Sequence, residues 1–155
     1  MAFDGSEPAF WALDRAIKIA KRDKASITVY HAIKHHFRFF QAALFPFFSS
    51  EDVFTLPTDI EDKVYQNQLE IAKRVLQEAG KRLEGTGIEH DLELVENLDP
   101  VTAAKELVSS KNIDLVIVGA RGLHGALEKL FLGTVCTGIV NKIQDTDVLV
   151  VKTPP

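Results

Sequence analysis

The run Ile113–Val118 (IDLVIV) is apolar almost without a break. A strand of that kind has no polar face to turn to water, so it needs cover on both sides, as in a parallel sheet flanked by helices. The neighbouring segments fit that demand. Phe10, Leu13, Ile17 and Ala20 recur at helical spacing within residues 6–24, and Ser6, Glu7 and Pro8 read as the cap and first turn. Ser26–Ile33 (SITVYHAI) is β-branched and aromatic, which predicts a strand. Ala72, Val75, Leu76, Ala79 and Leu83 predict a helix over 58–85, stopped by Gly85 and Gly87. Ile88, His90, Leu92 and Leu94 alternate, as a strand with one buried face does. Asp99 and Pro100 start a helix through about Ser110, with Val101, Ala104, Leu107 and Val108 inward. A helix over about 133–143 and a strand Val148–Val151 follow. Alternating elements joined by right-handed crossovers give a parallel sheet with helices on both faces, hence an α/β fold. A chain of 155 residues suits a single domain over 1–155.

Two stretches depart from this regularity. Residues 35–57 hold seven of the ten phenylalanines, and Pro46 and Pro57 break any long element there. This Phe-rich connection reads as cover for the domain's own core or for a dimer contact. At the other end, only Met1, Ala2 and Phe3 precede Asp4, whereas a full strand takes about five or six residues. The first strand therefore reads as truncated.

Composition narrows the function classes. The net charge is −4 with no basic run, so no nucleic-acid footprint is expected. No apolar stretch approaches the ~20 residues that span a bilayer, so no transmembrane segment is expected. The start MAFDGSEPAF lacks the pattern of a signal peptide. Cys136 is the only cysteine, which rules out an internal disulfide and a cysteine-built metal site. A cytoplasmic location is the expectation.

In an open parallel sheet, ligands bind beyond the carboxyl ends of the strands, where the strand order reverses. Three strand ends carry suitable groups: Asp4-Gly5-Ser6, His31-Ala32-Ile33, and Val118-Gly119-Ala120-Arg121-Gly122. Further on, Gly133-Thr134-Val135 opens a helix, whose first N–H groups and dipole suit a phosphate. The Thr134 hydroxyl adds a hydrogen bond and Arg121 adds charge. Asp4 suits ribose hydroxyls or a metal carried by phosphates. Each residue also has a plainer reading: the glycines as turn formers, Asp4 and Thr134 as caps, Arg121 as a solvated charge. Convergence at three strand ends favours a site.

These residues resemble the universal stress protein family from Asp4-Gly5-Ser6-Glu7 to Val148-Leu149-Val150-Val151-Lys152. The nucleotide-binding branch carries glycine, two residues, glycine, nine residues, then glycine with Ser or Thr. Here Gly119-Ala120-Arg121-Gly122 is followed by ten residues before Gly133-Thr134, one more than that pattern. The resemblance implies a single open five-stranded Rossmann-like sheet of order 3-2-1-4-5. It implies an ATP site, with or without Mg2+, in which Asp4 meets ribose, Ala32 meets adenine through its backbone, and Val118 lines the base or sugar. Gly119, Gly122, Gly133, Thr134 and Val135 would hold the phosphates. It also implies a homodimer through Val148–Val151, acting as a stress-response regulatory module.

The alternative reading is an interaction protein of the same fold without nucleotide, with the Phe-rich 37–54 segment as its partner surface. No catalytic constellation stands out, so the chain does not read as an enzyme beyond slow ATP hydrolysis. Cys136 and His31 read as core packing, His90 as a solvated or edge position, and His35–His36 as an improbable metal pair. His124 in the glycine loop reads equally as a phosphate contact or a solvated side chain.

Overall fold

The computed structural model describes residues 1–34, 58–121 and 132–154. The Phe-rich connection, Gly122, His124 and Gly125 lie outside them. Among the described residues, four helices alternate with four strands: α1 (Glu7–Asp23), β1 (Ile27–Ile33), α2 (Thr58–Leu83), β2 (His90–Glu96), α3 (Pro100–Lys111), β3 (Leu115–Gly119), α4 (Thr134–Lys142) and β4 (Asp147–Val151). The boundaries follow local chemistry. Ser6 caps α1 through a bond from the Ala9 amide, and Lys24 closes the helix in the left-handed region at φ 57°. Gly85 and Gly87, both at positive φ, end the chain's turn out of α2.

β1 pairs in parallel with β2 from Ile27↔His90 to Ile33↔Glu96. β3 pairs in parallel with β4 from Leu115↔Asp147 to Gly119↔Val151. The short first segment joins β1 by one parallel bridge, Ala2↔Tyr30. Among the described residues, no ladder joins it to β3. Towards the amino ends of β1 and β3 lies a cavity of about 620 Å³ bordered by Ile27, Thr28, Leu115 and Ile117.

Strand parity builds two cores. Ile27, Val29, Ile117 and Val151 pack with α1 and α2, around Leu13, Ala79 and Leu83. Tyr30, Val116 and Val118 pack with α3 and α4, around Ala103, Cys136 and Ile139. Alternate residues of one strand thus enter opposite cores, which is the burial IDLVIV requires.

β2 starts and ends two residues later than the alternation suggests, and Leu92, expected to be inward, is 40% exposed. β2 pairs only with β1 among the described residues, so its flank lacks a neighbouring strand's side chains. Among the described residues, no helix is long and apolar enough to cross a membrane.

The α3 start tests the local reading. One Asp99 carboxylate oxygen accepts from the Val101 and Thr102 amides, each at 3.1 Å, and the other accepts from the Thr102 hydroxyl at 2.6 Å. The Thr102 hydroxyl and amide bonds hold the Asp99 carboxyl below its usual range, with smaller help from the Val101 amide and the Lys34 charge. Asp99→Ala is expected to cost about 1 kcal/mol at neutral pH by urea denaturation. Because the folded pKa is depressed, that contribution is complete above the ordinary carboxyl value and fades as pH falls through the folded one. The difference between the two proteins should therefore shrink in acid.

Candidate functional site

The carboxyl ends of β1 and β3 and the first segment face one cavity of about 460 Å³, within the usual range for small-molecule sites. Of the residues singled out in the sequence, Asp4, Ala32, Val118, Gly119, Arg121, Gly133, Thr134 and Val135 line it. Gly122 lies outside the described residues. Much of the wall is apolar, with Phe3, Ala9 and Leu132 alongside.

Parallel α/β connectivity brings the helix starts to this end of the sheet, and among the described residues three of them contribute lining: Ala9 of α1, Pro100 of α3, and Thr134 to Cys136 of α4. Every helix start carries amides without intrahelical acceptors. In α1 and α3, side chains answer some of them: the Ser6 hydroxyl accepts from Ala9, and Asp99 accepts from Val101 and Thr102. α4 differs. Its N-cap is Gly133, which offers no side-chain hydrogen bond. The first turn of α4 is thus the one start of the three left without a side-chain cap, and it opens on the cavity.

Backbone bonds fix where that turn sits. The Ala120 amide donates to the Val151 carbonyl at 2.8 Å, and the Gly133 amide donates to the Ala120 carbonyl at 2.8 Å. The Gly133 amide is therefore committed to the scaffold, and the amides of the helix itself begin at Thr134. Thr134 itself is the first helical residue, not the cap.

Asp4 leaves the sheet through a tight local turn. Its Oδ1 accepts from the Ser6 amide at 3.0 Å, and Gly5 between them stands at φ 76°. Asp4 keeps a partly open position on the cavity wall, and it does not cap α1, whose N-cap is Ser6.

Two residues read as core turn out to border the cavity. Cys136 is 1% exposed, packed in the core, and also lines the site. Burial pushes its thiol above the usual range, with the Lys152 charge acting the other way. His31 is half-buried, lines the cavity, and bonds through Nδ1 to the Phe3 carbonyl at 2.7 Å. Tyr30 and Pro100 were not among the site candidates read from the sequence; the Tyr30 hydroxyl donates to the Pro100 carbonyl at 2.7 Å and ties β1 to the start of α3. Burial, then the Asp99 charge, raises the Tyr30 pKa, so the phenol stays protonated. The signal for Pro100 was its place at a helix start after a strand, since all such starts share one end of the sheet. His90 is half-buried at the start of β2, its Nδ1 facing the Ile88 carbonyl at 3.0 Å. Among the described residues, no group of three His, Cys, Asp or Glu side chains could hold a metal.

Gly119 has a packing role that stands apart from any ligand. A Cβ there would lie 2.7 Å from the Pro8 carbonyl oxygen, so only glycine lets α1 approach the end of β3 this closely. Gly119→Ala is expected to lower unfolding stability by about 1–3 kcal/mol in chemical denaturation, because a backbone group must move to make room.

Comparison with known proteins places this geometry. The model of the "Universal stress protein family" matches residues 1–152. A Staphylococcus aureus (strain USA300) relative named as a universal stress protein is 30% identical, over 99% of this chain and 82% of its own length. Universal stress protein YxiE of Bacillus subtilis is 24% identical over 98% and 96%. Among solved structures, hypothetical protein MJ0577 superposes with a TM-score of 0.74 at 21% identity, covering 99% of this chain and 94% of that one. A universal stress protein in complex with cAMP superposes at 0.58 with 25% identity, covering 98% and 93%.

Proposed function

We propose a function for this chain from one premise: it belongs to the universal stress protein family. It is an ATP-binding regulatory module. The observation that carries this reading is the glycine-capped start of α4, which opens on the cavity that Asp4 also lines. Amides at a helix start favour an anion, and a carboxylate on the wall of the same cavity favours hydroxyl donors. A nucleotide supplies both, phosphates at one end and ribose hydroxyls at the other. The relative solved with cAMP supports a nucleotide in general.

In this reading Asp4 accepts from the ribose hydroxyls, the Ala32 backbone meets adenine, and Val118 flanks the base or sugar. The Thr134 and Val135 amides, the Thr134 hydroxyl and Arg121 hold the phosphates, which carry any Mg2+ with them. Gly119, Gly122 and Gly133 let the backbone come close. Binding regulates the protein by favouring one conformation or partner state over another. The first segment takes the sheet centre, giving the order 3-2-1-4-5 counted from that segment. The outer side of β4 pairs with a second copy, and a charged replacement of Val148 or Val150 should give monomers in light scattering.

Thermal unfolding with Mg-ATP, with GTP as control, tests the site. Occupancy at 100 times the dissociation constant should add ~2.7 kcal/mol of stability. ATP is expected to raise the midpoint where GTP does not, and Asp4→Ala to remove most of the rise. Identical midpoints with and without ATP would overturn the reading.

A further inference from the structure

The first segment and β1 form a parallel ladder of one step. The Tyr30 amide donates to the Met1 carbonyl and the Phe3 amide donates to the Tyr30 carbonyl, each at 2.9 Å. In a parallel ladder, alternate residues of a strand turn their backbone groups to the same neighbour. Tyr30 faces the first segment, so Ala32 faces it too, while Ile27 turns the other way and donates to the Glu89 carbonyl at 3.0 Å. The next rung would run from the Ala32 amide to the Phe3 carbonyl. Among the described residues that rung is missing from the backbone bonds. The Phe3 carbonyl bonds instead to the His31 ring, at 2.7 Å from Nδ1.

A carbonyl oxygen only accepts, so Nδ1 carries the proton in this contact. The side chain of one residue thus takes over a rung that belongs to the backbone of the next. Two consequences follow at the cavity wall. The chain after Phe3 is released from the sheet plane, where Asp4 turns through its bond with the Ser6 amide. And the Ala32 backbone, relieved of Phe3, stands at a cavity that Asp4, His31 and Ala32 all line.

We propose that His31 is a positioning residue of this site: by donating to the Phe3 carbonyl it ends the first ladder one rung early, sets Asp4 towards the ligand and leaves the Ala32 backbone to read it. This rests on the nucleotide reading above and assigns the recognition of the adenosine half of the ligand to the His31–Phe3 bond. The phosphate half depends on α4, which His31 does not join.

The test compares His31→Asn, His31→Gln and His31→Leu with the unaltered protein by calorimetric titration with ATP and with inorganic triphosphate. An Asn amide places a donor near Nδ1, a Gln amide near Nε2, and Leu has none. Expected is at least tenfold weaker ATP binding for Leu and Gln, near-normal binding for Asn, and unchanged triphosphate binding throughout. Combining His31→Leu with Asp4→Ala should weaken ATP binding by much less than the product of the two single effects, since one acts through the other. Should the Leu variant fail to fold, the Asn and Gln pair alone decides. Rescue by Gln rather than Asn would mean direct ligand contact and would overturn the proposal, as would equal ATP binding in all variants or a parallel loss of triphosphate binding. If the unaltered protein binds no ATP, the nucleotide reading itself falls, and this inference with it. If it binds ATP and His31→Leu binds as well, only the inference falls.

Discussion

Burial of β3 on both faces is the constraint from which the architecture follows. Val116 and Val118 enter one core, and Leu115 and Ile117 pack into the other. Helices must therefore lie on both sides, and the crossovers bring every helix start that follows a strand to one end of the sheet. That end is rich in polar backbone because strand ends and helix starts both stop satisfying their own hydrogen bonds there. A cavity at this end is thus lined by groups that want partners, whatever the side chains contribute.

What distinguishes a packed end from a binding end is how those groups are answered. Ser6 and Asp99 answer α1 and α3 with their own side chains. Gly133 does not answer α4. A glycine cap costs only a few tenths of a kcal/mol relative to a hydroxyl or carboxylate cap, so leaving one helix start open is inexpensive in stability. It also clears space, since any side chain there would project towards the same amides a ligand would use. The same economy holds at Gly119, where the absent Cβ lets α1 sit against the strand end.

Local rules carried most of the fold into view from the sequence. Ser6, Asp99, Gly85 and Gly87 mark helix limits through chemistry confined to a few neighbouring residues, and the structure places those limits within two residues of expectation. Errors arose where an outcome depends on distant neighbours. Alternation made Leu92 look inward, but inwardness on a strand paired on one side among the described residues depends on what lies beside it. His31 looked like core because strand β1 is buried; its ring bonds to the Phe3 carbonyl, 28 positions away in the chain. Cys136 is both core and cavity wall, a distinction that residue type does not encode. Asp4, Arg121 and the α4 start were legible as site candidates because strand-end position and glycine spacing are written in the chain itself. The extra residue between Gly122 and Gly133 falls in a stretch outside the described residues.

The connection from Gly133 through Ala120 to Val151 consists wholly of main-chain groups. It joins the start of α4, the exit of β3 and the end of β4 without recruiting a side chain. Substitution at these positions leaves its donors and acceptors in place as long as the backbone keeps its path and no proline removes an amide. Mutational drift can therefore rewrite the polar character of the cavity rim while the distance between rim and β4 stays fixed. A lineage built on this frame can change the chemistry of the cavity without rebuilding the backbone behind it.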